Sequence, residues 1–316
     1  MTYINSGNKD TRSGFGDALL EVGNRYSNVV ALCADLTGSV KMDAFAKTFP
    51  QRFFQCGIAE ANMMGVAAGL AISGKIPFAG TFAAFASGRV YDQIRQSITY
   101  SNANVKIAAS HSGVTLGEDG ATHQILEDIG LMRMLPNMVV IHPCDYNQTY
   151  SATLAVAEHY GPVYLRFGRP AVPNFTPVNQ PFEIGKGQMM RKGNDISIFA
   201  TGHLVWEALL AADDLAAEGI SGEVINLHTI KPLDTKIILN SAAKTRAVLT
   251  AEEHLVAGGM GEAIAALLSR ELPTRQLFVA VNDRFGQSGK PLDLLNVYNL
   301  DATHIKKAAI QLLQNR

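Results

Sequence analysis

The sequence lacks the features that mark several large classes of protein. Only three cysteines occur in 316 residues (Cys33, Cys56 and Cys144), and no CxxC pair is present. This spacing excludes a disulfide framework and a cysteine zinc site. No window approaches the roughly 18 uninterrupted apolar residues of a transmembrane helix, and the polar segment 1–10 has no apolar core of a signal peptide. We therefore expect a soluble, cytoplasmic protein without a membrane partner.

Charged side chains are also scarce. They make up 17% of the chain, and 27 basic against 28 acidic residues leave a net charge of −1. Without a basic field, nucleic acid and anionic membranes are poor partners. Because 47% of the residues are hydrophobic, we expect an apolar surface that another subunit covers. A large core alone would be the alternative explanation.

Short β-branched runs alternate with longer helical stretches along the whole chain, which predicts an α/β fold with parallel sheets. Strands are predicted at 29–32, 76–79, 105–109, 139–141, 163–165, 196–200, 222–226, 247–251 and 277–281. Helices are predicted at 14–26, 60–73, 90–100, 124–135, 146–159, 204–218, 235–243 and 261–271.

One segment separates two such series of elements. Four prolines lie between Arg169 and Pro181, and proline sustains neither a helix interior nor a central strand. The sequence therefore predicts two domains, at 1–175 and 176–316, with a linker at about 169–184. Each is expected to have helices on both faces of a sheet, in three layers.

The segment Ser110–Gln124 concentrates polar chemistry. It follows a predicted strand and contains two histidines, two carboxylates and several glycines in the run Ser-His-Ser-Gly-Val-Thr-Leu-Gly-Glu-Asp-Gly-Ala-Thr-His-Gln. At the carboxyl edge of a parallel sheet, such a loop is well placed for ligand binding and acid/base work. A glycine-rich turn that merely caps the next helix is the simpler alternative.

Two further segments stand out less by themselves. Glu60 opens an otherwise apolar helix, where it is either a functional carboxylate or an anion placed favourably in the first helical turn. Phe82 and Phe85 follow a strand and could present a flat face to an aromatic ligand, although such pairs more often belong to a core.

Taken in order, these segments resemble transketolase. The glutamate-headed helix, the Thr-Phe-x-x-Phe strand exit and the Gly-Glu-Asp-Gly-x-Thr-His-Gln loop are similar to its pyrimidine-binding domain, and the rest of the chain resembles its carboxyl-terminal domain. Gly88 and Ala121 stand where the family often has Tyr and Pro. The Gly-Asp-Gly…Asn metal motif of the diphosphate-binding domain is missing, so the chain resembles the second half of a split transketolase.

The resemblance implies a role for particular residues. Glu60 would hydrogen-bond the aminopyrimidine of thiamine diphosphate and activate the cofactor, while Phe85 and Phe82 would receive its ring. Asp35 and Leu36 match positions near the thiazolium. His111 and His123 would face the substrate and act as acid/base groups, and Asp119 would bind the hydroxyl groups of the sugar. The sugar phosphate would be held by Arg12, Ser39 and Arg169, with help from His111.

The resemblance also implies partners. No metal site is expected in this chain; a separate diphosphate-binding subunit would hold Mg²⁺ or Ca²⁺ together with the cofactor phosphates. Two copies would associate with two such subunits as a heterotetramer that moves a two-carbon ketol unit between the sugar phosphates of pentose phosphate metabolism.

Two other functions stay open. The same pair of domains resembles 1-deoxy-D-xylulose-5-phosphate synthase and the beta subunit of 2-oxoacid dehydrogenases, although the synthase usually lacks a histidine at the position of His111. A non-catalytic paralogue that acts as a scaffold is the other possibility, and the joint presence of Glu60, Phe85, Asp119 and His123 speaks against it.

Overall fold

A computed structural model describes residues 3–314. The strands of the first half, residues 3–175, are β1 (Asn8–Asp10), β2 (Val29–Cys33), β3 (Phe53–Gln55), β4 (Ile76–Phe82), β5 (Lys106–Ser110), β6 (Val139–Ile141), β7 (Val163–Arg166) and β8 (Ala171–Pro173). Its helices are α1 (Thr11–Arg25), α2 (Asp43–Thr48), α3 (Glu60–Ile72), α4 (Ala83–Ala86), α5 (Tyr91–Gln93), which continues as a π-helix at Ile94–Thr99, α6 (Asp128–Arg133) and α7 (Tyr146–Glu158).

The second half, residues 176–314, continues the alternation. Its strands are β9 (Gln188–Arg191), β10 (Ile196–Ala200), β11 (Gly222–Asn226), β12 (Thr229–Lys231), β13 (Val248–Leu255) and β14 (Gln276–Val281). Its helices are α8 (Leu204–Ala217), α9 (Thr235–Thr245), α10 (Met260–Glu271), α11 (Pro291–Val297) and α12 (Ala302–Gln314).

The larger sheet determines where a ligand can bind. Its order within the described residues is β12-β6-β7-β5-β4-β2-β3, and the strands from β6 to β3 are parallel. From β2 the chain crosses to β3 on one side and then returns to β4 on the other. The loops after β2 and β4 therefore diverge, which creates the crevice where open α/β sheets bind ligands.

The two halves are joined through shared structure. β12 belongs to the second half but pairs antiparallel with β6 of the larger sheet. The second sheet has the order β14-β13-β10-β11-β9, with only β9 antiparallel to its neighbour. Phe199 and Ile225 of this sheet pack in one buried cluster with Met138 and Tyr164 of the first half. This common core fixes the halves against each other.

The predicted α/β fold with parallel strands and flanking helices is confirmed. The helix predicted at 124–135 begins only at Asp128, because Gln124 turns inward and donates to the carbonyls of Val114 and Gln287. The predictions omitted the short strands β1, β3, β8, β9 and β12 and the helices α2, α4, α11 and α12. Within residues 3–314, no helix is long and apolar enough to cross a membrane.

Candidate functional site

The site residues that the sequence singles out lie on loops at the carboxyl edge of the larger sheet or on helices that begin there. Five of the six parallel strands contribute a set, because the loop after each strand leaves the sheet at this edge. The sets are Asp35, Leu36 and Ser39 after β2, Glu60 after β3, Phe82 and Phe85 at the end of β4, His111, Asp119 and His123 after β5, and Arg169 after β7, with Arg12 at the start of α1.

Four aromatic rings form one continuous group. Phe82 stacks on Phe85 with ring centroids 5.9 Å apart and an angle of 17°. On its other side it stacks on His111, whose centroid lies 3.8 Å away. His123 stands edge-on to Phe85 at 5.4 Å. The structure thus brings together the two phenylalanines and the two histidines, which lie about 30 to 40 positions apart in the sequence.

Glu60 adjoins this aromatic group through an arginine. It is the first residue of α3, where the helix dipole favours an anion, and only 3% of it is exposed. Its carboxylate accepts a hydrogen bond of 2.9 Å from Arg89, and the Arg89 guanidinium lies 4.1 Å above the centroid of the Phe85 ring. Arg89 therefore contacts both residues to which the resemblance assigns the aminopyrimidine.

His111 is held in an unusual backbone conformation and is nearly fully buried. Its φ is 61°, and its Nδ1 lies 2.7 Å from the Ser110 hydroxyl. Burial, followed by the nearby charges of Arg12, Arg169 and His123, lowers the pKa of His111 to about 3. At neutral pH it is therefore an uncharged imidazole, which can donate or accept a hydrogen bond but carries no fixed charge.

Two arginines surround this neutral ring. Arg12 donates to the Ser39 carbonyl at 3.0 Å and lies 3.4 Å from Asp10. Arg169 donates to the Leu116 carbonyl at 2.8 Å and to Glu118 at 3.1 Å. Both reach His111 closely enough to shift its pKa. Guanidinium groups of this kind suit a phosphate dianion, because their N–H groups match its oxygens in pairs.

The remaining residues from the sequence are more peripheral. Asp35 is exposed, with φ 58°, and its amide donates to the Gln55 side chain at 2.7 Å. Leu36 is half-buried against the core of the first half. Asp119 is exposed between Gly117 and Gly120, whose φ values of 97° and 74° create the sharp turn there.

Sequence reasoning missed three residues that support the site. Arg89 could have been noticed in the sequence, because it is the first charged residue after Lys75 in an apolar stretch. Gln55 ties the loop after β2 to the start of α3, through the amides of Asp35 and Gly57. Glu253 contacts the loop after β5 from the second half, and its acidic pattern Ala-Glu-Glu-His indicates nothing about that contact.

Sequence comparison identifies the family. Residues 8–174 match the model of the transketolase pyrimidine binding domain, and residues 185–305 match that of the transketolase C-terminal domain. The chain belongs to the transketolase family. It is 46% identical over 314 residues to a protein of Methanocaldococcus jannaschii described as a transketolase C-terminal section, and the match covers 98% of each chain.

Two other relatives are subunits rather than whole enzymes. A 6-deoxy-6-sulfo-D-fructose transketolase subunit from Clostridium sp. strain MSTE9 is 43% identical, over 96% of this chain and 95% of its own. Among solved structures, a split-gene transketolase described as an inactive beta4 tetramer superposes with a TM-score of 0.90 and 46% identity, covering 98% of this chain and 99% of that one.

The residues present fit the pyrimidine end of thiamine diphosphate, on which transketolases depend. Glu60 offers a buried carboxylate with only one described hydrogen bond, and a carboxylate has room for more. Phe85 and Phe82 supply flat apolar faces. Within residues 3–314, no three His, Cys, Asp or Glu side chains are grouped to hold a metal ion.

Proposed function

We propose that this chain is the pyrimidine-binding subunit of a split transketolase, active with a separate diphosphate-binding subunit. It would transfer a two-carbon ketol unit from a ketose phosphate to an aldose phosphate. The observation that carries the proposal is the meeting of Glu60, the Phe82–Phe85–His111–His123 rings and two arginines at one sheet edge. In this proposal, residues 1–175 form the pyrimidine-binding domain and 176–316 the carboxyl-terminal domain, with the linker at about 169–184.

The chain's own residues divide the work. Glu60 would bind a ring nitrogen of the aminopyrimidine once Arg89 yields its place, and Phe85 and Phe82 would hold the ring by stacking. Asp35 and Leu36 would line the thiazolium end. When bound, thiamine diphosphate supplies a nucleophilic carbon and a sink for the electrons of the broken C2–C3 bond. Mg²⁺ or Ca²⁺ on its phosphates would be bound by the partner subunit.

Substrate contacts fall on the other side of the aromatic group. Arg12, Ser39 and Arg169 would bind the phosphate of the sugar, and Asp119 its hydroxyls. His111 and His123 would hold and move protons at the sugar oxygens as the donor bond breaks and the acceptor aldehyde is attacked. In its uncharged state His111 can donate or accept a hydrogen bond at the sugar beside the two arginines, and its lowered pKa means that it readily passes on any proton it takes up.

Self-association belongs to the same proposal. An exposed apolar patch covers one face of α3 and the residues just before it: 73% of Ile72 in the helix and 79% of Ile58, two residues before the helix begins, are accessible. Gly65 and Gly69 on the helix leave room for a close backbone. Such a patch is typical of a subunit contact. The related split-gene chain is described as a beta4 tetramer, which supports pairing of two copies here and recruitment of two partner subunits.

The first experiment is reconstitution. The isolated chain with thiamine diphosphate and Mg²⁺ should show no ketol transfer, whereas adding a diphosphate-binding transketolase chain should restore turnover. Activity of the isolated chain would contradict the split arrangement. Decarboxylation of a 2-oxoacid without ketol transfer would favour the synthase or dehydrogenase alternative, and a reconstituted complex that binds cofactor but turns over none of these substrates would favour a scaffold.

The second experiment tests Glu60 directly. Glu60→Gln keeps the shape of the side chain but cannot act as a carboxylate toward the ring nitrogen. In the assembled complex, deuterium exchange at the thiazolium carbon should slow by about 10² to 10⁴, with a smaller loss of cofactor affinity. Glu127→Gln is the matched control, because Glu127 is exposed and its carboxylate only accepts a hydrogen bond from the amide of the adjacent Leu126. An exchange rate within a few-fold of wild type would leave Glu60 as a helix-start anion only.

A further inference from the structure

Two adjacent glutamates on β13 point in opposite directions and bind different parts of the molecule. Glu252 and Glu253 are both buried, at 0% and 1% exposure, and successive side chains of a strand face opposite sides. The Glu252 carboxylate accepts the amides of Met260 and Gly261, each at 2.7 Å. These are the first amides of α10, so Glu252 stabilises a helix of its own half.

Glu253 reaches across into the first half instead. Its Oε1 accepts the amide of Thr115 at 2.5 Å, and its Oε2 lies 3.4 Å from Nδ1 of His203. The carboxyl group lies directly against Gly113, where a Cβ would come within 2.2 Å of it. The Glu253 carbonyl also accepts a hydrogen bond of 2.9 Å from the buried Arg166 at the end of β7. The Glu253 carboxylate of the second half thus packs against residues 111–117 of the first half.

Residues 111–117, called the His111 loop below, need such support. They contain positive φ values at His111, Gly113 and Gly117 and only a short 3-10 turn at Val114–Leu116. Two backbone hydrogen bonds hold the start of the loop, from Ser112 to Phe167 at 3.3 Å and from Gly113 to Ile125 at 3.1 Å. The bond to Glu253 is charge-assisted and therefore stronger than these neutral ones.

We propose that Glu253 is a positioning residue for catalysis: from the carboxyl-terminal domain it fixes the His111 loop and so the stacking of His111 on Phe82. The catalytic part of this inference rests on the proposed function. Its structural part does not, because the contacts between Glu253 and the loop are independent of any substrate. The carboxyl-terminal domain thereby has a defined role at the site.

The structural part is tested by amide hydrogen exchange on the full chain. In Glu253→Ala, the Thr115 amide and its neighbours in the His111 loop should exchange at least about tenfold faster than in wild type. Glu252→Ala is the matched control, since it removes an equally buried carboxylate from the next position. It should leave the His111 loop unchanged and accelerate exchange at residues 259–262. Unchanged exchange in the loop of Glu253→Ala would overturn the proposal, whatever the enzyme does.

The catalytic part is tested in the reconstituted complex. Glu253→Ala should lower kcat about tenfold to a hundredfold, the range expected when a catalytic group is displaced by about 1 Å, while the cofactor concentration for half-saturation stays within about threefold. Glu253→Gln retains an acceptor for the Thr115 amide and should recover most of kcat. Equal losses of kcat in Glu252→Ala and Glu253→Ala, in proportion to the folded fraction, would reduce Glu253 to a purely stabilising role.

The exchange and kinetic experiments distinguish a failure of the positioning role from a failure of the proposed function. If the wild-type complex shows no ketol transfer, the proposed function fails, while the exchange data still decide whether Glu253 holds the His111 loop. If ketol transfer is robust but Glu253→Ala retains wild-type kcat, the proposed function stands and the positioning role is wrong. If the alanine variant does not fold, Glu253→Gln, which preserves side-chain volume, takes its place in the exchange experiment. It replaces the charge-assisted bond to Thr115 by a weaker neutral one, so the Thr115 amide should exchange faster than in wild type, and unchanged exchange would overturn the proposal.

Discussion

The buried, uncharged state of His111 has a consequence for acid stability that can be calculated. Its pKa is about 3 in the folded chain and about 6.5 in an unfolded chain. At pH 8 the imidazole is neutral in both states. Below pH 6.5 the unfolded chain binds a proton that the folded chain does not, so the free energy of unfolding falls as the pH drops from about 6.5 towards 3.

The size of this loss of stability follows from how far the pH lies below the pKa of the unfolded chain. A pH of 5 is about 1.5 units below the pKa of the imidazole in the unfolded chain, and each unit corresponds to about 1.4 kcal/mol of free energy. His111 alone should therefore lower the stability of the folded chain by about 2 kcal/mol between pH 8 and pH 5. Burial lowers the pKa of His228 to about 4, and the same arithmetic gives about 2 kcal/mol for this second residue.

The test compares wild type with His111→Asn by urea unfolding at pH 8 and pH 5, at one protein concentration. Asparagine tolerates the positive φ of this position but does not titrate. The stability of wild type relative to the variant should be about 2 kcal/mol lower at pH 5 than at pH 8, because any packing loss in the variant cancels between the two pH values. His228→Asn should show a similar difference.

A change of less than about 0.5 kcal/mol between the two pH values would refute this reasoning for His111. It would mean that the imidazole is solvated or protonated in the folded chain, and therefore that His111 could approach a sugar phosphate as a cation. A difference at His228 but not at His111 would show that burial lowers the pKa of His228 and that the surroundings of His111 in solution differ from those in the structure.

Three further perturbations follow from contacts in the structure. Arg89→Met should tighten binding of thiamine diphosphate to the assembled complex by up to about tenfold, as measured by calorimetry. The half-exposed ion pair of Arg89 with Glu60 and its cation–π contact with Phe85 would no longer compete with the cofactor for these two residues. Weaker binding would show that Arg89 itself contacts the cofactor. Gly65→Leu should shift the light-scattering mass towards a monomer, since a bulky side chain would block close approach on the exposed face of α3, whereas Lys75→Leu, also exposed, should not. Asp145→Ala should lower the free energy of unfolding by roughly 3 kcal/mol or more, because the buried Asp145 carboxylate accepts from Gln148, Phe175 and Thr176; a loss below about 1 kcal/mol would contradict that account.

The fold was predictable from local patterns wherever both faces of a strand are buried. β2 and β5 are uninterrupted buried strands, so their position shows in the sequence as short apolar runs. α12 was omitted although Ile305, Ala309 and Leu312 provide its buried stripe. β12 could not be predicted in the same way, because its pairing with β6 depends on how the two halves dock.

Much the same division applies to the site. The motifs that carry the resemblance lie within single loops, so Glu60, Phe82, Phe85, His111 and His123 could be named from the sequence. Their stacking distances and the neutral state of His111 could not, because both depend on the packing of loops from different strands. Arg89 shows the limit well. A lone cation after an apolar stretch was visible, but only the structure shows that it contacts Glu60 and Phe85 together.

Glu252 and Glu253 show the same limit for two neighbouring residues. The two residues have the same side chain, occupy adjacent positions and are equally buried, so no pattern of composition or hydropathy distinguishes them. Strand periodicity predicts that they face opposite sides. It does not predict that one side meets α10 and the other meets the loop of His111, because that depends on docking of the second half against the first. A residue that belongs to a site through the backbone it supports, rather than through its own chemistry, can therefore be found only where tertiary contacts are known. The exchange experiment on Glu252→Ala and Glu253→Ala separates two residues that a sequence treats as equivalent.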